Sequence, residues 1–199
     1  AERLSAQVVA LYRAGRYDEA VPLARRDLAI REKALGPDHP EVAISFNNLA
    51  LLYKMKGEYD RAEPLFQHAL ALLVKTLSSD HPDVATAFNN LAELYRAKKE
   101  YDRAAPLYER ALSIWGKMKA PDAVVVATAL NNLAALYKMK GEYGRAEPLY
   151  ERALSISEGA QGLDDPEVAT ALNNLAELYR VKGEYDRTVP LLERSLSIL

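Results

Sequence analysis

Asn47-Asn48-Leu49-Ala50 returns unchanged as Asn89-Asn90-Leu91-Ala92, Asn131-Asn132-Leu133-Ala134 and Asn173-Asn174-Leu175-Ala176. Each copy begins 42 residues after the last, and that interval decides the fold. A fixed period with no drift means one supersecondary unit, stacked on its neighbours without change of length. Tyr17, Tyr59, Tyr101, Tyr143 and Tyr185 keep the same interval, as do Pro22, Pro64, Pro106, Pro148 and Pro190.

The stretch from Pro40 to Asp80 serves as a template for the unit. Val42, Phe46, Leu49, Ala50 and Tyr53 fall at helical spacing and make one apolar stripe. Lys56-Gly57-Glu58 interrupts it, and Gly57 suits a left-handed position just past a helix end. The pattern restarts at Tyr59 and runs through Ala62, Leu65, Phe66, Ala69, Leu70 and Leu73. Leu77-Ser78-Ser79-Asp80-His81-Pro82 then stops it, with proline placed to open the next helix. Each unit is therefore expected to be two antiparallel helices of roughly 15–17 residues joined by a tight turn, with no strand.

Small residues stand where the helices must touch: Ala50, Ala92, Ala134 and Ala176 in one series, Ala20, Ala62, Ala104 and Ala146 in the other. Thr188 replaces alanine in the last unit, which fits a looser terminal repeat. The prolines, five residues past the tyrosines, are expected to bend or tighten the first turn of the second helix. Lys99 stands at the glycine position of the third unit and costs about 1 kcal/mol if the left-handed conformation is kept.

Five helix pairs result, the outer two incomplete. First helices are expected at about 1–14, 40–56, 82–98, 121–140 and 165–182, and second helices at about 17–34, 60–77, 102–118, 144–158 and 186–199. The chain reads as a single array with repeats at about 1–39, 40–81, 82–123, 124–165 and 166–199. No pair can bury its stripe alone, so stability comes from stacking. The last helix carries Leu191, Leu192 and Leu196 with nothing after it to cover them, so a capping helix or a partner chain is expected there.

Composition narrows the function classes. Hydrophobic residues at 49% and charged residues at 27% are ordinary for a folded soluble chain. A formal charge of -2 argues against nucleic acid as the main partner, since phosphate binding needs a basic excess or stripe. No apolar run approaches the roughly 20 residues of a membrane helix. Ala1-Glu2-Arg3-Leu4 has no signal-peptide pattern, and both ends fall in mid-pattern, as expected of a piece of something longer. Zero cysteines exclude disulfides and thiolate metal sites and suit the cytoplasm.

Leu49, Ala50, Tyr53, Ala62, Phe66 and Ala69 keep the spacings of the tetratricopeptide repeat. The run Ala29-Ile30-Arg31-Glu32-Lys33-Ala34-Leu35-Gly36-Pro37-Asp38-His39-Pro40-Glu41-Val42-Ala43 closely resembles the repeats of kinesin light chains and their bacterial relatives. So does Gly57-Glu58-Tyr59-Asp60-Arg61-Ala62-Glu63-Pro64-Leu65. The resemblance implies an all-α, right-handed solenoid (a TPR superhelix) whose first helices line a concave, peptide-binding groove. It implies groove positions at Asn48, Asn90, Asn132 and Asn174, and four residues earlier at Ile44, Thr86, Thr128 and Thr170, where the cargo-binding family can place lysine. This chain has no lysine there. A basic residue follows each signature tyrosine, at Lys54, Arg96, Lys138 and Arg180. Arg31 matches a basic groove position that Leu73, Trp115 and Ser157 do not keep.

A carboxamide offers donor and acceptor together, so an asparagine row can pair with the backbone of an extended peptide whatever its side chains. Equally, asparagines can bond neighbouring helices and hold register. Adjacent residues point about 100° apart on a helix, so one of each pair can do each task. The basic row repels itself and invites an acidic partner, although Glu93 and Glu177 nearby offset it in part. Trp115, the single tryptophan, reads as core, and Tyr53 and its counterparts read as structural. His39 and His81 occupy equivalent linkers roughly 10 Å apart in stacked helices, too far to share a metal. Asp38 and Asp80 are available there as helix caps. No serine elbow, phosphate loop or paired carboxylates break the repeat, so neither catalysis nor a cofactor is expected.

The expected function is a scaffold that binds an extended, acidic peptide or partner segment in the groove. One alternative is self-assembly through the uncapped last helix, giving a homo-oligomer. Another is service as the sensor arm of a larger signalling ATPase or protease.

Overall fold

The computed structural model describes residues 2–199. Among them there are ten helices and no strand. The residues up to Ile114 form one compact unit and Trp115–Leu199 a second. The first holds α1 (Glu2–Arg13), α2 (Tyr17–Leu35), α3 (Pro40–Met55), α4 (Tyr59–Thr76), α5 (Pro82–Ala97) and nearly all of α6 (Tyr101–Trp115). The second holds α7 (Ala123–Met139), α8 (Tyr143–Gln161), α9 (Pro166–Lys182) and α10 (Tyr185–Ile198). The expected helices match these within a few residues; α6 stops three residues early and α8 runs three further. The expected start at residue 1 lies outside the described residues.

Successive helices from α1 to α5 and from α7 to α10 pack on one another, and first helices also touch each other: α3 meets α5, and α7 meets α9. The alanine series make this approach possible. Ala50, Ala92, Ala134, Ala176, Ala20, Ala62, Ala104 and Ala146 are all fully buried. Phe66, Tyr108 and Tyr150 are at most 1% exposed. Trp115 is core, as expected, at 5%.

The turn within each pair follows one recipe. Gly57 takes φ 76°. Its N–H donates to Lys54 O at 3.0 Å, and Glu58 N–H to Tyr53 O at 2.9 Å, closing the last turn of α3. Lys99 is forced into the same conformation at φ 62°, with Glu100 N–H on Tyr95 O at 2.8 Å. A side chain in that region strains against the carbonyl ahead of it.

Between pairs, the capping differs from expectation. His39 and His81, not Asp38 and Asp80, cap the first helices: each Nδ1 accepts the N–H two residues on, from Glu41 and Asp83, at 3.2 Å. Asp38 instead pairs with Lys75 at 2.7 Å. Where the linker reads Asp164-Asp165-Pro166, Asp165 caps α9 through Glu167 N–H at 2.8 Å; Asp122 does the same for α7. Pro22, Pro64, Pro148 and Pro190 sit inside second helices that continue through them.

The signature tyrosines hold register on the second-helix side. Their rings are buried, and a guanidinium eight residues on stacks over each: Arg61 over Tyr53 at 4.2 Å, with Arg103 over Tyr95, Arg145 over Tyr137 and Arg187 over Tyr179 at 3.8 Å. The phenol of Tyr95 reaches back to the previous pair, donating to Glu63 at 3.1 Å and accepting from Gln67 at 3.0 Å. Tyr179 likewise offers its single proton between Glu147 at 3.2 Å and Glu151 at 3.1 Å. Burial pushes the Glu63 carboxyl up, but hydrogen bonds from Lys98, Arg103 and Tyr95 outweigh it, and the group is held below its ordinary value. Glu147 is lowered chiefly by Lys182, against burial, with help from Arg187.

Candidate binding groove

The first helices of the leading unit, α1, α3 and α5, present one face on which two clefts open. The first, of about 160 Å³, is lined by Val8, Val9, Tyr12, Asn48, Leu51 and Leu52. The second, of about 200 Å³, is lined by Ile44, Asn47, Asn48, Leu73, Asp83, Thr86 and Ala87. Asn48 borders both. Apolar walls with a few convergent amides and one carboxylate suit a side chain flanked by peptide backbone.

In the leading unit the first asparagine of one block bonds the second asparagine of the next. Asn90 Nδ2 donates to Asn47 Oδ1 at 3.0 Å, linking α5 to α3. Asn89 is 7% exposed; its Nδ2 donates to Glu93 at 3.3 Å and its Oδ1 is buried without a donor. Asn48 is half-buried, as are Asn90, Asn132 and Asn174. The trailing unit lacks the cross-link: Asn131 Oδ1 is buried with no donor. Thr86, Thr128 and Thr170 are exposed, each hydroxyl donating to the carbonyl four residues back at 3.2, 2.8 and 3.1 Å. Ile44 in the same series is 39% exposed.

The basic row is less free than its sequence implies. Lys54 Nζ lies 2.5 Å from Glu93 of the next first helix, and both side chains are mostly covered. Arg180 is chelated by Glu177 on its own helix at 2.6 and 2.9 Å. That contact, with Lys138 contributing more weakly, holds the Glu177 carboxyl below its ordinary value. Arg96 is exposed and, among the described residues, makes no ion pair. Arg31 is not a groove cation: its guanidinium is 14% exposed and bound to Asp27 at 2.9 Å, Glu41 at 2.5 Å and Ser5 at 2.9 Å.

Sequence reading missed Tyr12 and Asp83. Tyr12 stands in the register of Lys54 and Arg96, and a departure from the period was the available signal. Its phenol is raised by burial first and by Tyr17 and Glu93 after it. No group of three or more metal-ligating side chains occurs among the described residues.

A tetratricopeptide repeat family model matches residues 4–73, 55–117 and 125–199, nearly the whole chain. The chain belongs to the tetratricopeptide repeat family. Solved structures similar to this repeat array include the nearly identical TPR-like repeats of a Podosopora anserina protein named as a kinesin light chain. It is 26% identical, with a TM-score of 0.83 over 99% of this chain and 93% of that one. BtubC (BKLC) from P. vanneervenii is 27% identical, with a TM-score of 0.87 over 99% of this chain and 78% of that one. MamA, at 20% identity and TM-score 0.68 over 95% and 92%, shares the fold. No curated protein matches by sequence. The array is thus a kinesin light chain-like tetratricopeptide solenoid of paired helices, and proteins of this family are generally non-catalytic scaffolds for protein–protein interaction. No helix among the described residues is long and apolar enough to cross a membrane.

Proposed function

We propose that the first-helix face binds an extended polypeptide, seating side chains in the two clefts and its backbone on the half-buried amides. The observation that carries this is Asn48, one carboxamide set between two apolar clefts. In the leading unit Asn90 and Thr86 extend this surface, and within the trailing unit Asn132, Asn174, Thr128 and Thr170 offer the same amide and hydroxyl groups. Attraction to an acidic partner falls mainly on Arg96, because Lys54 and Arg180 already hold carboxylates. Lys138, half-buried, is the corresponding cation within the trailing unit. The cysteine-free composition supports work in the reducing cytoplasm.

Random peptides displayed on phage and selected on the intact chain test the reading. Selected peptides should bind at least tenfold more weakly to the Asn48→Ala, Asn90→Ala double variant, and acidic ones more weakly to Arg96→Glu. Unchanged binding by a double variant with an unaltered circular dichroism melt would reject the groove.

A second reading, self-association, is favoured by α10. Leu192, Leu196 and Leu199 are 46%, 76% and 80% exposed, whereas the counterparts of Leu192 in the repeat, Phe66 and Tyr150, are at 1%. Light scattering across a concentration series should show a growing mass that Leu192→Glu with Leu196→Glu abolishes; a constant monomer mass counts against it.

A further inference from the structure

The seat around Tyr53, on the second-helix side of the leading unit, differs in chemistry from those of Tyr95 and Tyr179. Arg25 donates to the Tyr53 hydroxyl from Nη2 at 2.6 Å and from Nε at 3.0 Å, and Arg61 Nη2 donates to the same oxygen at 2.8 Å. Guanidinium groups carry no acceptor. The phenol proton of Tyr53 therefore has no acceptor among the described residues, and two cations face one neutral oxygen. At Tyr95 and Tyr179 the equivalent arginines, Arg103 and Arg187, meet a carboxylate at that point. Glu63 takes the Tyr95 proton at 3.1 Å and Arg103 Nη2 at 2.9 Å; Glu147, at 3.2 Å, shares the Tyr179 proton with Glu151 and takes Arg187 Nη1 at 2.7 Å.

The residue that should supply this carboxylate to Tyr53 is Val21, 42 positions before Glu63. Val21 stands one turn before Arg25 on α2, as Glu63 stands one turn before Gln67 on α4, where the two side chains touch at 3.2 Å. Around Arg25 and Arg61 lies an open cleft of about 520 Å³ floored by Leu28, Ala29, Leu49, Pro64 and Leu65. Glu32 and Asp60 also line it, and Glu58 binds Arg61 at 2.5 Å, so the net field is weak and directed hydrogen bonds must do the selecting. Asp60 lies 4.0 Å from Lys98.

We propose that this cleft is a second binding site, which takes the carboxylate of a partner protein's glutamate or aspartate side chain between Arg25, Arg61 and the Tyr53 hydroxyl. The chain's own Glu63 and Glu147 are the chemical precedent. In the equivalent seats they are held below their ordinary value by Lys98 or Lys182 together with the counterparts of Arg61 and Tyr53, and at Tyr53 that lysine's part falls to Arg25. The site is independent of the first-helix groove, since none of its lining residues borders the groove clefts.

The test is a titration with an acetylated, amidated peptide of alternating alanine and glutamate, followed by the side-chain Nε–Hε resonances of Arg25 and Arg61. Saturable shifts of both are expected. They should vanish with the glutamine version of the peptide, in Val21→Glu, which supplies the carboxylate internally, and in Arg25→Gln, which copies Gln67. Circular dichroism confirms that each variant is folded. Absent shifts, equal shifts with the glutamine peptide, or shifts that survive Val21→Glu would overturn the proposal. Saturation by orthophosphate but not by the glutamate peptide would overturn the assignment of a carboxylate. A dimer dissolved by Arg25→Gln would overturn a foreign partner in favour of a second copy.

Discussion

Lys54 Nζ and Glu93 Oε2 lie 2.5 Å apart across two successive first helices, with side chains 14% and 23% exposed. The pair ties one repeat to the next and neutralises Lys54. Glu93→Gln should therefore release Lys54. Selected acidic peptides should bind severalfold more tightly by isothermal titration, while unfolding free energy falls by about 1 kcal/mol or less, the scale of a partly exposed pair.

Lys99 holds a left-handed backbone where Gly57, Gly141 and Gly183 hold the same turn. Lys99→Gly should raise stability by up to about 1 kcal/mol, the cost of the side chain in that conformation less the entropy glycine adds to the unfolded chain. For a chain of this size the thermal midpoint should rise by about 2–4 °C. A lower midpoint would mean that the strain is absorbed elsewhere.

His39 caps α3 through a neutral ring nitrogen, whereas Asp165 caps α9 with a carboxylate. His39→Asp turns Asp38-His39-Pro40-Glu41 into Asp-Asp-Pro-Glu, the wording that opens α9. The anion also meets the positive end of the helix dipole. A gain of about 0.5 kcal/mol is expected in urea denaturation, and His39→Ala should lose about 0.5–1 kcal/mol.

Glu63 and Glu147 have folded-state acidities shifted downward. Their contribution is thus complete above the ordinary carboxylate value of about 4.3 and is lost as pH falls through the lower folded value. Glu63→Gln should cost most stability near neutral pH, and the gap between variant and parent should close below about pH 4. A gap that does not change with pH would mean that packing, not charge, makes Glu63 matter.

The candidate site was legible in part. Asn48, which borders both clefts, is named as a groove position by the resemblance to kinesin light chain repeats and not by helical spacing, which leaves either asparagine of a block free to take that place. The neutralisation of Lys54 could not be read, since Glu93 lies 39 positions away and is brought close only by stacking. Arg31 illustrates the same limit: its partners Ser5, Asp27 and Glu41 come from three different helices. The histidine caps also escaped notice, because aspartate is the commoner cap and stood one residue away.

What the sequence by itself determined is the array: ten helices, their boundaries, their turns and the alanines at their contacts. All of these rest on local backbone preference and a strict period, which act within a few residues along the chain. Only the tertiary structure decided which charges remain available. Arg96 is left exposed, Lys54 is consumed, and Arg25 and Arg61 converge on Tyr53. Ion pairs form wherever packing brings side chains together, and distance in space is not written in the repeat.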